Sequence, residues 1–389
     1  MELDSGLTDL RLEALRERRS VKWTTYEPDV LPSWVAEMDF PLAAPVADAL
    51  RAALDRSDAG YANPAAAGLP EALAGFLERR HGWSIDPAQV VACNDVVAGL
   101  TDLLRTLLEP GDRVVVTPPV YHPFFGLVPD AGCVLAEVPL AGGRELDLDG
   151  IDAAFAAGAR ALLLCNPHNP TGTVAARDEL EALARLAAEH DAWILADEIH
   201  APLTLPGAEH VPFLTVSEEA AERGIALVSA SKTFNLAGLG CAQIVTAADP
   251  ARAAVAELPP GARHCGHLGA LASAAAYEHG DPWLDAVLAV LDHNRRLVPA
   301  LLGELVPASR CEPPAAGYLV WIDLGELGLG ADPAGPVLER GRVAFSSGPA
   351  FGRGGEGHVR LNAGTSPDLV REAIKRLAEA IDSEPIIDA

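Results

Sequence analysis

The chain has 389 residues, of which 49% are apolar, a composition typical of globular proteins. Its 29 basic and 55 acidic residues give a net charge of −26, which argues against nucleic-acid and anionic-membrane partners. The length suffices for one large domain and a smaller one.

Cysteine usage and the distribution of apolar residues bear on location. The six cysteines are scattered without a Cys-x-x-Cys pair, which is typical of proteins in a reducing compartment. The first 20 residues are charged and lack the apolar centre of a signal peptide. No run approaches the roughly 18 apolar residues of a membrane span. We therefore expect a cytoplasmic protein that does not associate with membranes.

Apolar strands and helices alternate along the first two thirds of the chain. Residues 5–20 carry leucines at helical spacing and predict a short amphipathic helix or arm, whereas residues 28–45 are irregular yet apolar. The alternation predicts a parallel sheet covered by helices on both faces. The predicted helices are 46–55, 69–81, 96–108, 148–157 and 177–190, and the predicted strands are 90–93, 113–117, 134–138, 161–165, 193–196, 225–228 and 243–246.

The composition changes after Pro282. A long helix to about Leu305 is predicted there, followed by strands and a terminal helix that indicate a smaller domain with a mostly antiparallel sheet. The predicted strands are 318–324, 344–347 and 358–362, and the helix is 367–381. We therefore expect a large domain of residues 46–285, and a small domain made of residues 1–45 and 286–389.

Polar residues follow directly after four of the predicted strands. These strands end at Cys93, Cys165, Ala196 and Val228. Ligands of parallel sheets bind beyond the carboxyl ends of the strands, so this convergence predicts a binding site there.

One lysine, Lys232, lies among small hydroxyl residues directly after the apolar run Ile225–Val228. Burial disfavours the ammonium form of a lysine, and the neutral amine reacts with aldehydes. The hydroxyls of Ser229 and Ser231 suit a phosphate. An aldehyde and a phosphate together are the functional groups of pyridoxal 5′-phosphate (PLP). The alternative is a surface lysine on an ordinary turn between a strand and a helix.

Three further residues at strand ends suit the same cofactor. A carboxylate such as Asp197 can hold a proton on a pyridine nitrogen. Asn169 lies between two prolines that fix the backbone, so its side chain has a fixed direction, which suits the ring oxygen. His200 could reach the same oxygen. The alternatives are a helix cap or turn for Asp197, an ordinary turn for Asn169, and a satisfied polar loop residue for His200.

Arg360 lies at the centre of a short apolar strand, His358–Asn362, where an arginine is rarely solvated. Its planar guanidinium group suits an α-carboxylate, to which it can donate two parallel hydrogen bonds. The alternative is a salt bridge within the core.

These motifs together resemble the fold-type I PLP enzymes of the class I/II aminotransferase superfamily. More narrowly, they resemble its cystathionine β-lyase-like C–S lyases, the MalY/PatB branch. The Asn-Pro-x-Asn-Pro-Thr-Gly turn marks only the superfamily, whereas Asp-Glu-Ile-His and Ser-Lys-Thr-Phe-Asn-Leu-Ala-Gly are more specific. The segments that carry the resemblance are residues 22–23, 34–40, 121–125, 166–172, 197–200, 229–239 and 318–321.

The resemblance implies the α/β PLP-transferase fold of aspartate aminotransferase, in which a large domain with a mainly parallel seven-stranded sheet is joined to a smaller α+β domain. It also implies cofactor contacts by Lys232 at the aldehyde, Asp197 at the ring nitrogen, Asn169 and His200 at the ring oxygen, Tyr121 on the ring face, and Ser229 with the amides of Val96 and Val97 at the phosphate.

The resemblance implies further roles in substrate binding and assembly. Arg360 would bind the substrate carboxylate, and Ala36 with Glu37 would belong to the substrate-side wall. Tyr61 would reach the phosphate of the other subunit's site, which implies an obligate homodimer with shared active sites. Related sequences usually carry aspartate where this chain has Glu37, so substrate preference could differ. They usually carry glycine where it has Asp95, whose carboxylate should repel a phosphate unless it points away or caps the helix.

The expected reaction is β-elimination from cysteine thioethers such as L-cystathionine, which yields a thiol, pyruvate and ammonia. An aminotransferase uses the same residues and remains the nearest alternative. A PLP-binding regulator without catalytic activity is a third, which the acidity of the chain disfavours. We expect no metal site, since His264, Cys265 and His267 lack a second ligand pair. Residues 147–150 are too short for a calcium loop, and residues 348–357 are better explained as a flexible glycine-rich loop than as a phosphate loop.

Overall fold

The computed structural model describes residues 3–382 of the chain. Its helices are α1 (Ser5–Thr8), α2 (Leu12–Arg16), α3 (Val21–Thr24), α4 (Ala44–Asp55), α5 (Leu69–His81), α6 (Val96–Leu107), α7 (Pro123–Asp130), α8 (Leu148–Ala156), α9 (Arg177–Glu189), α10 (Glu218–Arg223), α11 (Ala230–Thr233), α12 (Asp249–Ala256), α13 (His267–His279), α14 (Asp281–Leu305), α15 (Ala334–Gly341) and α16 (Pro367–Asp382). The strands are β1 (Leu31–Pro32), β2 (Val90–Cys93), β3 (Arg113–Val116), β4 (Val134–Glu137), β5 (Ala159–Cys165), β6 (Trp193–Asp197), β7 (Gly224–Val228), β8 (Ala242–Val245), β9 (Arg310–Cys311), β10 (Leu319–Asp323), β11 (Val343–Ala344), β12 (Ser346–Ser347) and β13 (His358–Asn362).

A seven-stranded sheet in the order β2-β8-β7-β6-β5-β3-β4 forms the centre of the molecule. Strand β8 runs antiparallel to both of its neighbours, and the remaining pairings are parallel. The mainly parallel α/β sheet predicted from the sequence is therefore confirmed. Cys165 pairs with Asp197, and Asp197 pairs with Leu227, so three strands end at nearly the same level.

The middle strands of this sheet are buried on both faces. Successive residues of β5 alternate between two hydrophobic clusters: Leu162 and Leu164 belong to one, and Leu163 and Cys165 to the other. This is the period of two that a strand imposes on its side chains. Burial on both faces explains why these strands read as continuous apolar runs in the sequence.

A second sheet, β12-β13-β10-β9, is antiparallel throughout. Its hydrophobic cluster includes residues from α14, α15 and α16 and, from the N-terminal segment, Leu31. Helix α14 contributes Val287 to the cluster of the large sheet and Val298 to this one, so it links the two sheets. The division into domains at residues 46–285 remains a prediction.

Two expectations about local structure were wrong, and one buried helix was not predicted. Residues 5–20 form two short helices rather than one, and the strand predicted at 344–347 is interrupted at Phe345. Its halves join different sheets, because β11 pairs with β1 whereas β12 pairs with β13. Helix α13 had not been predicted, because it is buried around most of its circumference and shows no amphipathic stripe. Within residues 3–382, no helix combines the length and apolar composition that crossing a bilayer requires.

The irregular segment 33–40 is fixed in place by polar contacts. Asn235 accepts a hydrogen bond from the Met38 amide and donates one to the Met38 carbonyl, both at 2.8 Å. Asn362 donates to the Val35 and Glu37 carbonyls, each at 2.7 Å. These bonds tie the segment to the loop after α11 on one side and to β13 on the other.

A buried ion pair completes this attachment. Lys22 Nζ lies 2.8 Å from Asp39 Oδ1, with 1% and 3% of the two side chains exposed, and also donates to the Glu37 carbonyl. Charges removed from water to this degree need a partner at close range. The pair therefore holds segment 33–40 against α3.

We expect Lys22→Met to lower the free energy of unfolding by about 3–5 kcal/mol, because Asp39 would remain buried without its cation. Urea denaturation would measure the change. The control is Arg51→Met, which removes the cation of an ion pair to Asp48 whose side chains are both more than 70% exposed. Its loss should cost less than about 1 kcal/mol. Equal effects of the two substitutions would contradict a structural role for the buried pair.

Candidate active site

A cavity of about 260 Å³ lies where β2, β5, β6 and β7 end, as the sequence predicts. A larger groove of about 820 Å³, bordered by residues 140–148, 164–168 and 173–179, shares only Cys165 with it and contains none of the predicted site residues. The smaller cavity brings together most of those residues: Ala36, Val96, Val97, Tyr121, Asn169, Asp197, His200, Ser229 and Lys232.

Lys232 presents its amine to this cavity from the one-turn helix α11. Its Nζ donates to the Ala36 carbonyl at 3.0 Å. Burial, reinforced by the positive charge of Arg360, lowers the pKa of Lys232 to about 8, while Asp197 and Glu37 act in the opposite direction. About a tenth of the amine is therefore neutral at pH 7, far more than for an ordinary lysine, and the neutral amine is the form that reacts with a carbonyl carbon.

Asp197 and His200 occupy the end of β6 and the turn that follows it. Burial raises the pKa of Asp197 to about 7, although the Ile199 amide donates to its Oδ1 at 3.2 Å and Lys232 favours its ionised form. Burial lowers the pKa of His200 to about 3, with smaller contributions from Lys232 and Arg360, so its imidazole is neutral. A positively charged partner for Asp197 would restore its ionised form.

Asn169 and Arg360 are directly connected. Arg360 Nη1 donates to Asn169 Oδ1 at 2.9 Å, which leaves the Asn169 amide NH₂ group as the donor toward a ligand. Arg360 Nη2 donates to the Trp34 carbonyl and to Ser346 Oγ. Among residues 3–382, Arg360 forms no ion pair with a carboxylate, which rules out the core salt bridge within that range. Burial lowers its pKa to about 10, so it stays cationic.

The N-terminus of α6 points its first amides toward the cavity. Val96 and Val97 line it, and Asp95 caps the helix by accepting from the Ala98 amide at 2.8 Å. Free amides at a helix N-terminus favour an anion. The Ser229 hydroxyl already donates to the Cys241 carbonyl at 2.7 Å, so Ser231, which lines the same cavity, is the more available hydroxyl donor.

Tyr121 lines the cavity at the start of α7. Its ring makes edge contacts with His122 and Phe124, with centroids 5.5 and 5.8 Å apart. Burial raises the pKa of Tyr121 to about 12, with a further contribution from Asp197. The phenol is therefore neutral over the physiological range.

Three of the predicted residues do not line this cavity. Tyr61 is fully exposed, between α4 and α5, and contributes nothing to the site of its own chain. The Glu37 carboxylate accepts a hydrogen bond from the Ser20 hydroxyl at 2.5 Å, although its charge still affects Lys232. Arg360 lies just beyond the cavity, behind Asn169. The substrate-binding role of Glu37 and the intersubunit role of Tyr61 remain predictions.

The residues that position the site had been given no role from the sequence. The Tyr318 hydroxyl donates at 3.2 Å to the same Ala36 carbonyl that holds Lys232, and burial raises the pKa of Tyr318 far above its usual value. Asn362, which holds the carbonyls on either side of Ala36, lies two residues after Arg360 on one strand. That spacing of two, which puts both side chains on one face, is the signal that could have identified Asn362.

The family profile described as "Aminotransferase class I and II" matches residues 26–377. The chain belongs to this family. It is 41% identical to the putative cystathionine beta-lyase of Mycobacterium tuberculosis, over 97% of this chain and 99% of that protein. It is 35% identical to cystathionine beta-lyase PatB of Bacillus subtilis, over 93% and 97% of the two chains.

A solved structure is similar along nearly the whole chain. The putative PLP-dependent beta-cystathionase of Corynebacterium diphtheriae superposes with a TM-score of 0.93 at 35% identity, covering 97% of this chain and 100% of that chain. Both the PLP-transferase fold and the resemblance to the cystathionine β-lyase branch are thereby confirmed.

We expect the reaction of Lys232 with pyridoxal, trapped with cyanoborohydride in cofactor-free protein, to have a pH midpoint near 8. The rate should rise with pH because only the neutral amine reacts. Arg360→Met should move the midpoint upward, since removal of the neighbouring cation favours the ammonium form, and Asp197→Asn should move it downward. Peptide mapping would assign the label to Lys232.

The matched control for this titration is Arg353→Met, which removes an exposed arginine from the glycine-rich segment before β13. Its midpoint should equal that of the unmodified chain. A midpoint near that of an ordinary lysine, unaffected by either charge substitution, would contradict the assignment of Lys232 as a desolvated amine.

Proposed function

We propose that this chain is a PLP-dependent C–S lyase, which cleaves L-cystathionine and related cysteine thioethers into a thiol, pyruvate and ammonia. The observation that carries the proposal is the desolvated Lys232 amine, in a cavity that also holds Asp197, Asn169 and a helix N-terminus. The similarity to proteins named cystathionine beta-lyase along more than nine tenths of the chain supports the lyase rather than another reaction of the family.

The lining of the cavity fits PLP group by group. Lys232 would hold the aldehyde, Asp197 the ring nitrogen, and Asn169 with His200 the ring oxygen. The amides of Val96 and Val97, with Ser231 and Ser229, would hold the phosphate. When bound, the cofactor supplies an electron-withdrawing ring that stabilises negative charge at the substrate Cα.

The substrate carboxylate has one obvious partner. Arg360 is buried and cationic, yet within residues 3–382 its hydrogen bonds are accepted by neutral oxygens alone. An incoming carboxylate can replace these weaker contacts with two parallel charge-assisted bonds. Because Arg360 lies beside Asn169, a substrate carboxylate bound at this point would fix the substrate Cα relative to the cofactor site.

Lys232 is the residue that moves the proton. Once the substrate amine has replaced Lys232 at the cofactor aldehyde, the released neutral amine would remove the proton from the substrate Cα, and the resulting ammonium could return to the Ala36 carbonyl, which accepts from Nζ at 3.0 Å. Asp197, ionised once it faces a protonated ring nitrogen, keeps that proton in place. The thiolate then leaves from Cβ, and the remaining three-carbon fragment hydrolyses to pyruvate and ammonia.

The same residues also permit transamination, in which Lys232 delivers the proton to a different carbon. The nature of the substrate side chain decides between the two outcomes. A thiolate on Cβ is a good leaving group, so its expulsion competes with reprotonation. Substrates without such a group can only be reprotonated, and weak transamination of these is compatible with the proposal.

The experiment that tests the function compares two incubations of the purified holoenzyme. With L-cystathionine we expect equal amounts of pyruvate, ammonia and thiol, and with an L-amino acid plus 2-oxoglutarate we expect little glutamate. Lys232→Ala should abolish the elimination. Robust glutamate formation, with no thiol released from any cysteine conjugate, would show that the chain is an aminotransferase rather than a lyase.

The role of Arg360 can be tested in the same assay. Arg360→Lys keeps the charge but loses the planar pair of donors, and should lower kcat/KM by on the order of 100-fold through about 3 kcal/mol of lost binding. PLP content, measured from visible absorbance, should not change. The exposed Arg353→Lys is the control and should leave both quantities unaffected.

We also propose a cytoplasmic homodimer with shared active sites. The six cysteines are all free, which fits a reducing compartment. Tyr61 is fully exposed on a segment between two helices, and Leu54 on the preceding helix is 63% exposed. Exposed large side chains of this kind are consistent with a surface that a partner covers. The Tyr61 hydroxyl would then reach the phosphate in the partner's site.

Hybrid dimers would test the shared site. We expect Tyr61→Ala and Lys232→Ala proteins to be nearly inactive alone and to regain activity on mixing, because one of the two sites in each hybrid has both residues. Subunit exchange should be verified by native mass spectrometry. Mixing Lys232→Ala with Asp197→Ala is the control, since both residues belong to one chain's cavity: hybrids of these two should stay inactive. Verified exchange without recovery in the first pair would show that each site is built by one chain.

A further inference from the structure

The phosphate end of the cavity carries an anionic residue, Asp95, directly beside the amides of Val96 and Val97. We propose that Asp95 makes this subsite select the singly protonated, monoanionic phosphate of PLP. The bound phosphate then keeps a proton at neutral pH, and cofactor affinity falls as the pH rises. The inference rests on PLP as the cofactor and not on the lyase reaction. A failure of the elimination assay would therefore not contradict it.

The Asp95 carboxylate is held in place by both of its oxygens. Oδ1 accepts from the Ala98 amide at 2.8 Å, and Oδ2 accepts from Asn94 Nδ2 at 2.6 Å. Asp95 and Asn94 both line the cavity. The carboxylate therefore cannot turn away from an anion at the helix N-terminus without giving up its helix cap. Its charge reaches the site, because it is among the causes that raise the pKa of Tyr121.

No compensating cation is found among the described residues that line this cavity, apart from Lys232, which serves the aldehyde. The other titratable groups there are Asp197, the neutral His200, the neutral Tyr121, and the thiols of Cys165 and Cys241. Gly240 packs against the same turn, and a Cβ there would lie 2.9 Å from Asn94 Oδ1, so no basic side chain can enter from that position without displacing Asn94.

The charged side chains on the segments near α6 are engaged with other partners. Arg263 donates to the Val255 and Ala256 carbonyls. His267, at the start of α13, lies 3.1 Å from Asp58 Oδ1. On α12, Arg252 pairs with Asp249. The phosphate would thus be held by neutral donors, with a fixed carboxylate close by.

The sign of the pH dependence follows from the charges. A phosphate monoester loses its second proton near pH 6 in water, and a neighbouring carboxylate repels the dianion more than the monoanion. The pKa of the bound phosphate is therefore raised above its value in water. The affinity for PLP is therefore highest below about pH 6, where the free phosphate is also monoanionic. It declines as the pH rises and levels off once the pH exceeds the pKa of the bound phosphate. Asp95 is exposed, so salt screens the effect and low ionic strength maximises it.

Phosphorus NMR of the holoenzyme measures the protonation of the bound phosphate directly. At low ionic strength, we expect the phosphate of the unmodified chain to titrate at least about one pH unit higher than that of Asp95→Asn, a tenfold difference in proton affinity. Asparagine caps helices as well as aspartate does, so the fold should be retained. Asp95→Ser is the second variant, and Asp102→Asn, which removes a charge farther along α6, is the control.

A binding titration separates the phosphate from the rest of the cofactor. Pyridoxine 5′-phosphate and pyridoxine both lack the aldehyde, so the ratio of their dissociation constants isolates the phosphate contribution in cofactor-free protein. Between pH 5.5 and 8.5, this preference for the phosphate ester should fall about tenfold in the unmodified chain and in Asp102→Asn, and far less in Asp95→Asn. A bound phosphate that is already dianionic at pH 7, or a pH dependence that persists in both Asp95 variants, would overturn the proposal.

Discussion

The reactivity of the candidate site depends on keeping one lysine amine out of water beside a second buried cation. Burial and the charge of Arg360 both lower the pKa of Lys232, and only Asp197 and Glu37 oppose them. Neither carboxylate forms a direct ion pair with the lysine, whose amine instead donates to the Ala36 carbonyl. A neutral acceptor holds Nζ without favouring the ammonium form as strongly as a carboxylate would, so the amine is both positioned and reactive.

The Ala36 carbonyl is useful only if the backbone that carries it is rigid. Segment 33–40 has no regular secondary structure to satisfy its amides and carbonyls, so side chains from distant parts of the chain do so. Asn235 binds it from the loop after the lysine, Asn362 from β13, and the Lys22–Asp39 pair from the N-terminal helices. The site therefore requires the two sheets and the N-terminal segment to be assembled together.

The sequence predicted what depends on local pattern and missed what depends on tertiary context. Apolar runs with polar ends located the strands and, through them, Lys232 and Asp197. Tyr318 could not be assigned from its own strand, because its function is set by Ala36, which is 282 residues away in the chain. Helix α13 is buried on most sides and gives no periodic signal, and the break at Phe345 follows from two sheets that are assembled from remote segments. The orientation of the Asp95 carboxylate is likewise a property of the folded turn.

Electrostatics links these observations to ligand choice. In a chain with a net charge of −26, anionic ligands must be attracted by local groups. Arg360 is buried among the oxygens of Asn169, Trp34 and Ser346, which cost less desolvation than a charged partner but leave the guanidinium uncompensated. A carboxylate in that place would have competed with any anionic ligand for the guanidinium group. Under the proposed function, the substrate carboxylate would supply the charge that Arg360 lacks within residues 3–382, so its binding would relieve an electrostatic cost already present in the fold.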